Sequence, residues 1–198
     1  MPGQFEAIPG GGAAVALDEV EISIIRSLAV QLLELIGPGP AEDATGDPLA
    51  ELFAEGPSEP PTDPVLQRLL PDAYGGPGSE KADEGELRAY SAEFRRFTEN
   101  DLRAKKRDDA LVVIRSLDSM TAAGDGGAVL KLSAEESRHW LGALNDLRLA
   151  IGARLDVIDE EDTDLLYQLP ESDARKPMVM AYLWLGGLQE TLVSTLLV

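Results

Sequence analysis

The chain carries the stretch GGAAVALDEVE at residues 11–21 and a second version of it, GGAVLKLSAEE, at residues 126–136. In both copies a glycine pair, which permits a turn, precedes a short apolar segment with a period of two. Each segment then reaches a residue that caps helices, Asp18 or Ser133, with a glutamate three positions later. This order of signals is typical of a strand that passes directly into a helix. We therefore expect the two stretches to be adjacent strands of one sheet, each followed by a helix.

The rest of the chain predicts a mainly α-helical fold. At 198 residues it is long enough for one well-packed core, so we expect a single domain over residues 1–198. The predicted strands cover residues 4–8, 13–17 and 128–132, and they form a small sheet of two or three strands. The predicted helices cover residues 18–36, 48–54, 64–70, 84–120 and 133–158, with a last helix from about residue 177. Proline and glycine crowd residues 37–62, a predicted flexible linker, and residues 71–85 form a predicted loop.

The long helix at residues 84–120 has one apolar stripe, which predicts how it packs. Leu87, Tyr90, Phe94 and Phe97 recur at helical spacing. A stripe of this kind normally faces the core. We therefore expect these four side chains to be buried, and the helix at residues 133–158, which is apolar on two sides, to be central.

Composition excludes several classes of function. The chain has 17 Lys plus Arg against 36 Asp plus Glu, which gives a net charge of −19. This balance opposes a general attraction to nucleic acid or to an anionic membrane and favours a protein partner. The chain has no cysteine, so thiol catalysis and thiolate metal sites are excluded. Without a signal-like N-terminal segment, we expect a cytoplasmic protein.

The segment 178–198 is rich in Leu, Val and Met and contains Glu190 as its only ionisable side chain. An unpaired glutamate in hydrocarbon costs about 3 kcal/mol, which disfavours a membrane span. We expect instead a largely buried helix. Because its apolar residues exceed what one buried face needs, part of it is expected to form a homodimer contact.

A cluster of positive charges on the long helix is the leading candidate for a binding surface. Its members point away from the predicted apolar stripe and are Arg88, Arg95, Arg96, Arg103, Lys106 and Arg107. One interpretation is a basic face for an anionic partner. The other is an ordinary solvated helix face, held by the i, i+4 pairs Glu84–Arg88 and Glu99–Arg103.

Four polar residues interrupt the apolar helix at residues 133–158, namely Asn145, Asp146, Arg148 and Arg154. They could bind a ligand, but we favour a structural polar network in which an arginine pairs with a carboxylate on another helix. His139 is the only histidine and has no metal-ligand spacing around it, and the acidic run at residues 156–164 lacks the glycine of a calcium loop. We therefore expect no catalytic residue, no metal and no cofactor.

Several segments together resemble a known family. They are Asp63-Pro64, RLLPDAY at residues 68–74, EFRR at residues 93–96, WLGALNDLRLAIGARL at residues 140–155 and LQETLV at residues 188–193. With these segments the chain resembles the actinobacterial domain-of-unknown-function family 2017 over nearly its whole length. The resemblance implies a gene often found beside that of the Clp protease adaptor, and for some members a transcriptional-regulator label. It implies no catalytic or binding residue.

These observations favour a non-catalytic protein-interaction module, with a connection to regulated proteolysis implied by the gene neighbourhood. The first alternative is a transcriptional regulator that uses the basic face at residues 88–107. The second alternative is an enzyme, which would need an acid–base pair that the sequence does not display.

Overall fold

A computed structural model describes residues 3–38, 55–75, 83–120 and 127–197. These residues form three strands, β1 (Glu6–Ala7), β2 (Ala13–Asp18) and β3 (Gly127–Leu132). They also form six helices, α1 (Glu19–Ile36), α2 (Pro64–Leu69), α3 (Glu84–Asp118), α4 (Ala134–Arg154), α5 (Glu160–Tyr167) and α6 (Lys176–Leu196). The predicted fold class, mainly helical with a small sheet, is confirmed. The predicted helix at residues 48–54 lies outside the described residues, as do much of the linker 37–62 and part of the loop 71–85.

The sheet has the order β1-β2-β3, and both strand pairs are antiparallel. Val15 lies opposite Leu130 in the register, so the two repeated stretches are adjacent strands, as predicted. Every second residue of β2 is buried, and Val129 of β3 points to solvent. This alternation follows from the period-two pattern of the sequence.

Both repeated strands pass directly into a helix through a capping box. Asp18 Oδ1 accepts a hydrogen bond from Glu21 N at 2.8 Å, and the Glu21 carboxylate accepts one from Asp18 N at 2.9 Å. Ser133 and Glu136 make the same reciprocal pair at the start of α4. Each box satisfies two backbone N–H groups that the first turn of a helix leaves without a partner.

Helix α4 is central, as predicted, because it packs against α1, α2, α3 and α6. Trp140 of α4 is completely buried, and its Nε1 donates a hydrogen bond to Ser116 Oγ of α3 at 2.9 Å. Phe5 meets the Trp140 ring edge-on, with 5.9 Å between the ring centroids. One fully buried tryptophan thus links the N-terminal segment to α3 and α4.

The end of α4 differs from the prediction. The helix ends at Arg154 rather than near residue 158, and Asp156 then adopts a left-handed conformation with φ 56°. The acidic run at residues 156–164 contains the start of a new helix, because Asp159 caps α5 and forms a capping box with Asp162. Carboxylates are stabilised at a helix N-terminus, so an acidic run can form the first turn of a helix.

The expectation that the C-terminal helix is largely buried is wrong. In α6 the buried side chains are Lys176 and Val179 near its start, and Leu185, Leu188 and Leu192, which share one face further along. Met180 is 46% exposed on another face. Within the described residues, no helix is both apolar and long enough to cross a bilayer. The predicted homodimer contact stays a prediction.

The turn between β1 and β2 provides a test of the sheet geometry. Gly11 and Gly12 both have positive φ, at 86° and 103°. A Cβ at Gly12 would lie 2.1 Å from the backbone oxygen of Leu132, whereas a Cβ at Gly11 would meet nothing within 4 Å. Gly11→Ala is expected to lower the free energy of unfolding by backbone strain alone, on the order of 1–3 kcal/mol. Gly12→Ala is expected to lower it further, because β3 must also move.

Urea denaturation of the two alanine variants beside the unchanged protein measures this difference. Equal losses for Gly11→Ala and Gly12→Ala would contradict the close packing of the turn against β3.

Candidate functional site

The first half of α3 is rotated about its own axis so that the face predicted to be buried is exposed. Phe94 and Phe97 of the predicted apolar stripe are 45% and 60% exposed, and Tyr90 is 55% exposed. The face that points inward instead contains Ser91, Arg95 and Glu99. The expectation that the aromatic stripe is buried is therefore wrong, and the reason lies in what the inner face contacts.

A buried ion-pair network occupies this inner face. Arg95 is 5% exposed and Glu99 is 2% exposed, and the two side chains are paired one turn apart on α3. Arg95 Nη2 also contacts Asp72 Oδ1 at 2.8 Å, and Arg103 Nε donates to Glu99 Oε1 at 2.9 Å. Buried charges are stable only when they are paired and hydrogen-bonded, a condition that this cluster meets.

The arginines of α3 also satisfy the ends of two neighbouring helices. Arg103 Nη1 donates to the backbone oxygen of Ile36 at 2.6 Å, and Arg107 donates to the backbone oxygen of Gly37, both at the C-terminus of α1. Arg95 Nη2 donates to the oxygen of Leu70, the C-cap of α2, at 3.1 Å. The last carbonyls of a helix lack intrahelical partners and carry partial negative charge, so guanidinium groups stabilise them.

Two more buried carboxylates join α3 to α4. Asp146 is 3% exposed and receives a hydrogen bond from Lys106 Nζ at 2.6 Å. Burial raises the pKa of the Asp146 carboxyl above its ordinary value, against the opposing effect of Lys106. Asp109 is equally buried, and its carboxylate contacts Lys105 at 2.8 Å and His139 Nδ1 at 2.7 Å.

The predicted basic face is therefore mostly an internal surface. The expectation that Arg95, Arg103 and Lys106 point to solvent is wrong, because each is paired with a buried carboxylate. Arg88 and Arg96, by contrast, have 82% and 41% of their side chains accessible. The predicted i, i+4 pairs Glu84–Arg88 and Glu99–Arg103 are both present. Whether any of these residues binds a partner stays a prediction.

The outward side of α3 presents a cluster of exposed aromatic rings, which we name the aromatic face and define as Tyr74, Tyr90, Phe94 and Phe97. Tyr74 meets Tyr90 and Phe94 edge-on, with centroid distances of 6.0 and 6.2 Å. The guanidinium of Arg96 lies 4.8 Å from the centroid of the Phe97 ring. Grouped exposed apolar side chains of this kind mark interaction surfaces, whereas single ones are ordinary.

A second surface feature is an open groove of about 1010 Å³ between α4 and α6. Apolar side chains form much of its lining, including Leu149, Val157, Leu183 and Val193. Residues of α5 and Arg68 of α2 also line it. Concave surfaces with apolar walls and a few polar groups are the usual form of binding sites.

Arg148 is the central polar residue of this groove. Its Nη1 donates to Gln189 Oε1 at 2.7 Å, and the Gln189 amide is 3.4 Å from Asn145 Oδ1. Its guanidinium carbon lies 5.1 Å from the centroid of the Tyr182 ring. Within the described residues, no carboxylate lies within 4.0 Å of Arg148 or of Arg154. The predicted polar network thus joins α4 to α3 through Asp146 and to α6 through a neutral amide.

Two consecutive glycines of α6 lie in the same groove. A Cβ at Gly186 would lie 3.4 Å from Arg148 Nε, an ordinary van der Waals contact, so the guanidinium packs beside this glycine. A Cβ at Gly187 would meet nothing within 4 Å among the described residues, so packing gives no reason for a glycine there. Glycine in a helix interior costs about 1 kcal/mol relative to alanine. The position of Gly187 therefore leaves this part of the groove without a side chain.

Sequence reasoning missed the groove residues of α6 because their roles depend on tertiary contacts. Tyr182, Gly186 and Gln189 reach Arg148 from more than 30 positions away in the chain. The pairing of His139 with Asp109 was missed for the same reason. The glycine pair inside an apolar helix was the one local signal that could have pointed to the groove.

Comparison with known proteins places the chain in a family. The model of a domain of unknown function, DUF2017, matches residues 3–196. The chain belongs to the DUF2017 family. This confirms the resemblance found in the sequence, and the match covers both the aromatic face and the groove.

Two curated relatives of this DUF2017 chain carry regulatory names. A Mycobacterium leprae protein named "Putative oxidative stress regulator AosR" is 30% identical over 185 residues, which cover 89% of this chain and 79% of the relative. The protein named oxidative stress regulator AosR of Mycobacterium tuberculosis (strain H37Rv) is 27% identical over 182 residues, with 89% and 78% covered. No solved structure matches the chain.

The ion-pair network of this DUF2017 chain is expected to be essential for stability. Arg95→Ala leaves Glu99 and the Leu70 carbonyl short of a buried partner, so it is expected to lower the free energy of unfolding by about 3 kcal/mol or more. The matched control is Arg88→Ala, which removes an exposed pair on the same helix and is expected to leave the melting temperature nearly unchanged.

Urea denaturation and thermal melting of the two variants provide the measurement. A loss for Arg95→Ala no larger than that for Arg88→Ala would show that the inner face of α3 is not a buried network.

Proposed function

We propose that this protein is a non-catalytic regulatory protein that acts by binding another protein. The aromatic face is the observation that carries the proposal. Tyr, Phe and Arg are enriched at protein–protein interfaces, and here three such residue types stand together at the surface. The names of the two relatives support a regulatory role, since both are called oxidative stress regulators.

The chemistry of the surface defines the kind of partner. The aromatic rings need an apolar counterpart. Arg88 and Arg96 lie on the same helix segment with 82% and 41% of their side chains accessible, and their contacts with Glu84 and Glu55 are long, at 3.7 and 3.5 Å. We therefore expect a partner segment with apolar side chains flanked by carboxylates, which matches both features at once.

The transcriptional-regulator alternative, as a direct DNA-binding role, is less well supported. A phosphate-binding surface needs several free Lys or Arg side chains on one face. Arg95, Arg103 and Lys106 are occupied by buried carboxylates, and the chain has a net charge of −19. A role in transcription would therefore act through a protein that itself binds DNA.

Direct sensing of oxidants by this chain would need a mechanism that does not use a thiol. Thiolates are the common sensors of oxidants because they oxidise reversibly. These 198 residues contain no cysteine, so a thiol switch is not available within them. We therefore place the regulatory role in partner binding rather than in direct sensing. The connection to regulated proteolysis, the cytoplasmic location and the homodimer stay predictions.

Site-specific photocrosslinking in cells of the source organism tests the proposal. A benzophenone amino acid at Phe97 or Tyr90 is expected to capture one discrete protein, because both positions are exposed on the aromatic face. The matched control position is Val20, which is 66% exposed on α1 and lies outside this face. The benzophenone at Val20 is expected to capture none of the proteins that are captured from Phe97 or Tyr90.

A double variant, Phe94→Ser with Phe97→Ser, separates binding from folding. Since both rings are about half exposed, the melting temperature is expected to change little, while capture through Tyr90 is lost. Absence of any crosslink at both aromatic positions, or the same product from Val20, would refute the aromatic face as a partner surface.

A further inference from the structure

The groove between α4 and α6 contains a cation without a carboxylate partner. Within the described residues, Arg148 has only a neutral amide, Gln189, and the face of the Tyr182 ring as close polar and aromatic contacts. Its Nε is shielded from solvent and makes no hydrogen bond there. The other arginines and lysines in the interior of this fold are paired, as Arg95, Arg103 and Lys106 show. An arginine left with open hydrogen-bonding capacity in a groove is suited to an anionic group.

The walls of the groove add an apolar requirement. Leu149, Leu183 and Val193 line it, and its volume of about 1010 Å³ is sufficient for a small organic molecule. Gly187 keeps this space free of a side chain. A ligand that fills the groove therefore has an apolar body in addition to its anionic group.

Three carboxylates limit the charge of that ligand. Asp159, Asp164 and Glu190 also line the groove. Against the two arginines of the lining, Arg148 and Arg68, they leave the groove with a net charge of −1, which opposes a polyanion such as a nucleotide. A single negative charge at Arg148 is attracted at short range. These carboxylates do not oppose the binding of an apolar body.

We propose that the groove between α4 and α6 is a binding site for a small amphipathic monoanion. Its carboxylate, or an equivalent acidic group, binds the guanidinium of Arg148 beside the amides of Asn145 and Gln189. Its apolar body lies along Leu149, Leu183 and Val193. This site goes beyond the proposed function and uses none of the residues of the aromatic face.

Fluorescence of 8-anilinonaphthalene-1-sulfonate, a probe with one anionic group and an apolar body, tests the site. The probe is expected to bind the full chain, and octanoate is expected to displace it. Octylammonium has an alkyl chain of the same length and the opposite charge, and it is expected to displace the probe poorly. Equal displacement by both compounds would overturn the proposal, because the groove would then recognise only the alkyl chain. Absence of an octanoate-sensitive fluorescence signal would overturn it as well.

Two variants assign the binding to this groove. Arg148→Gln is expected to weaken the displacement by octanoate by about tenfold, since a charge-assisted contact is lost. The control Arg154→Gln removes a charge from the same helix outside the groove and is expected to leave the displacement unchanged. Equal behaviour of the two glutamine variants would overturn the role of Arg148.

A third variant keeps the test valid if Arg148→Gln fails to fold. Gly187→Leu places a side chain into the open space of the groove and is expected to abolish octanoate-sensitive binding while the protein stays folded. Unchanged binding in this variant would overturn the proposal. A wild-type dimer that Gly187→Leu converts to a monomer would also overturn it, because a second copy would then cover the groove.

A failure of the proposed function can be distinguished from a failure of this site. The variant Phe94→Ser with Phe97→Ser is expected to retain octanoate-sensitive binding in full. Loss of that binding would place the probe on the aromatic face and overturn the groove site.

Discussion

The position of α3 depends on arginine side chains that reach the carbonyl ends of two other helices. Arg103 and Arg107 hold the C-terminus of α1, and Arg95 holds that of α2. Glu99 lies between Arg95 and Arg103 and compensates their charge without solvent. Ala110, Val113 and Leu117 in the second half of α3 are buried on the same side of the helix, so this network and that apolar face together set the rotation of α3 about its own axis. The exposure of the aromatic face follows from that rotation.

This interaction also explains which part of the fold could be predicted from sequence. The capping boxes, the pairing of β2 with β3 and the central helix follow from local signals, or from repeats of one, and they were confirmed. The rotation of α3 was not predictable in the same way, because hydrophobic periodicity assumes that apolar residues face the core. In the first half of α3 the inner face instead meets carboxylates and the backbone carbonyls of other helices, which favour charged side chains. The partners Ile36, Gly37 and Leu70 are distant in sequence and carry no motif.

The candidate sites also contain some features that the sequence could predict and others that depend on tertiary contacts. Asn145, Asp146 and Arg148 were identified as a polar network from their positions on an apolar helix, but their partners Lys106 and Gln189 needed the tertiary structure. The basic cluster was identified from the sequence, but the expectation that its side chains point to solvent was wrong for Arg95, Arg103 and Lys106. In a strongly acidic chain, a run of arginines and lysines can form ion pairs in the interior as well as a charged surface. Sequence alone does not separate these two uses.

The internal use of these cations changes how the molecule meets its surroundings. Since Arg95, Arg103 and Lys106 are enclosed together with their carboxylate partners, the outer surface has fewer positive charges than the composition suggests. Two copies of this acidic protein, or this protein and another acidic protein, repel each other over a distance of about 10 Å at moderate ionic strength. Added salt therefore favours their approach, whereas it weakens the contact of a basic protein with nucleic acid. Contacts of this protein with acidic molecules must form at short range, through apolar surface and single well-placed arginines.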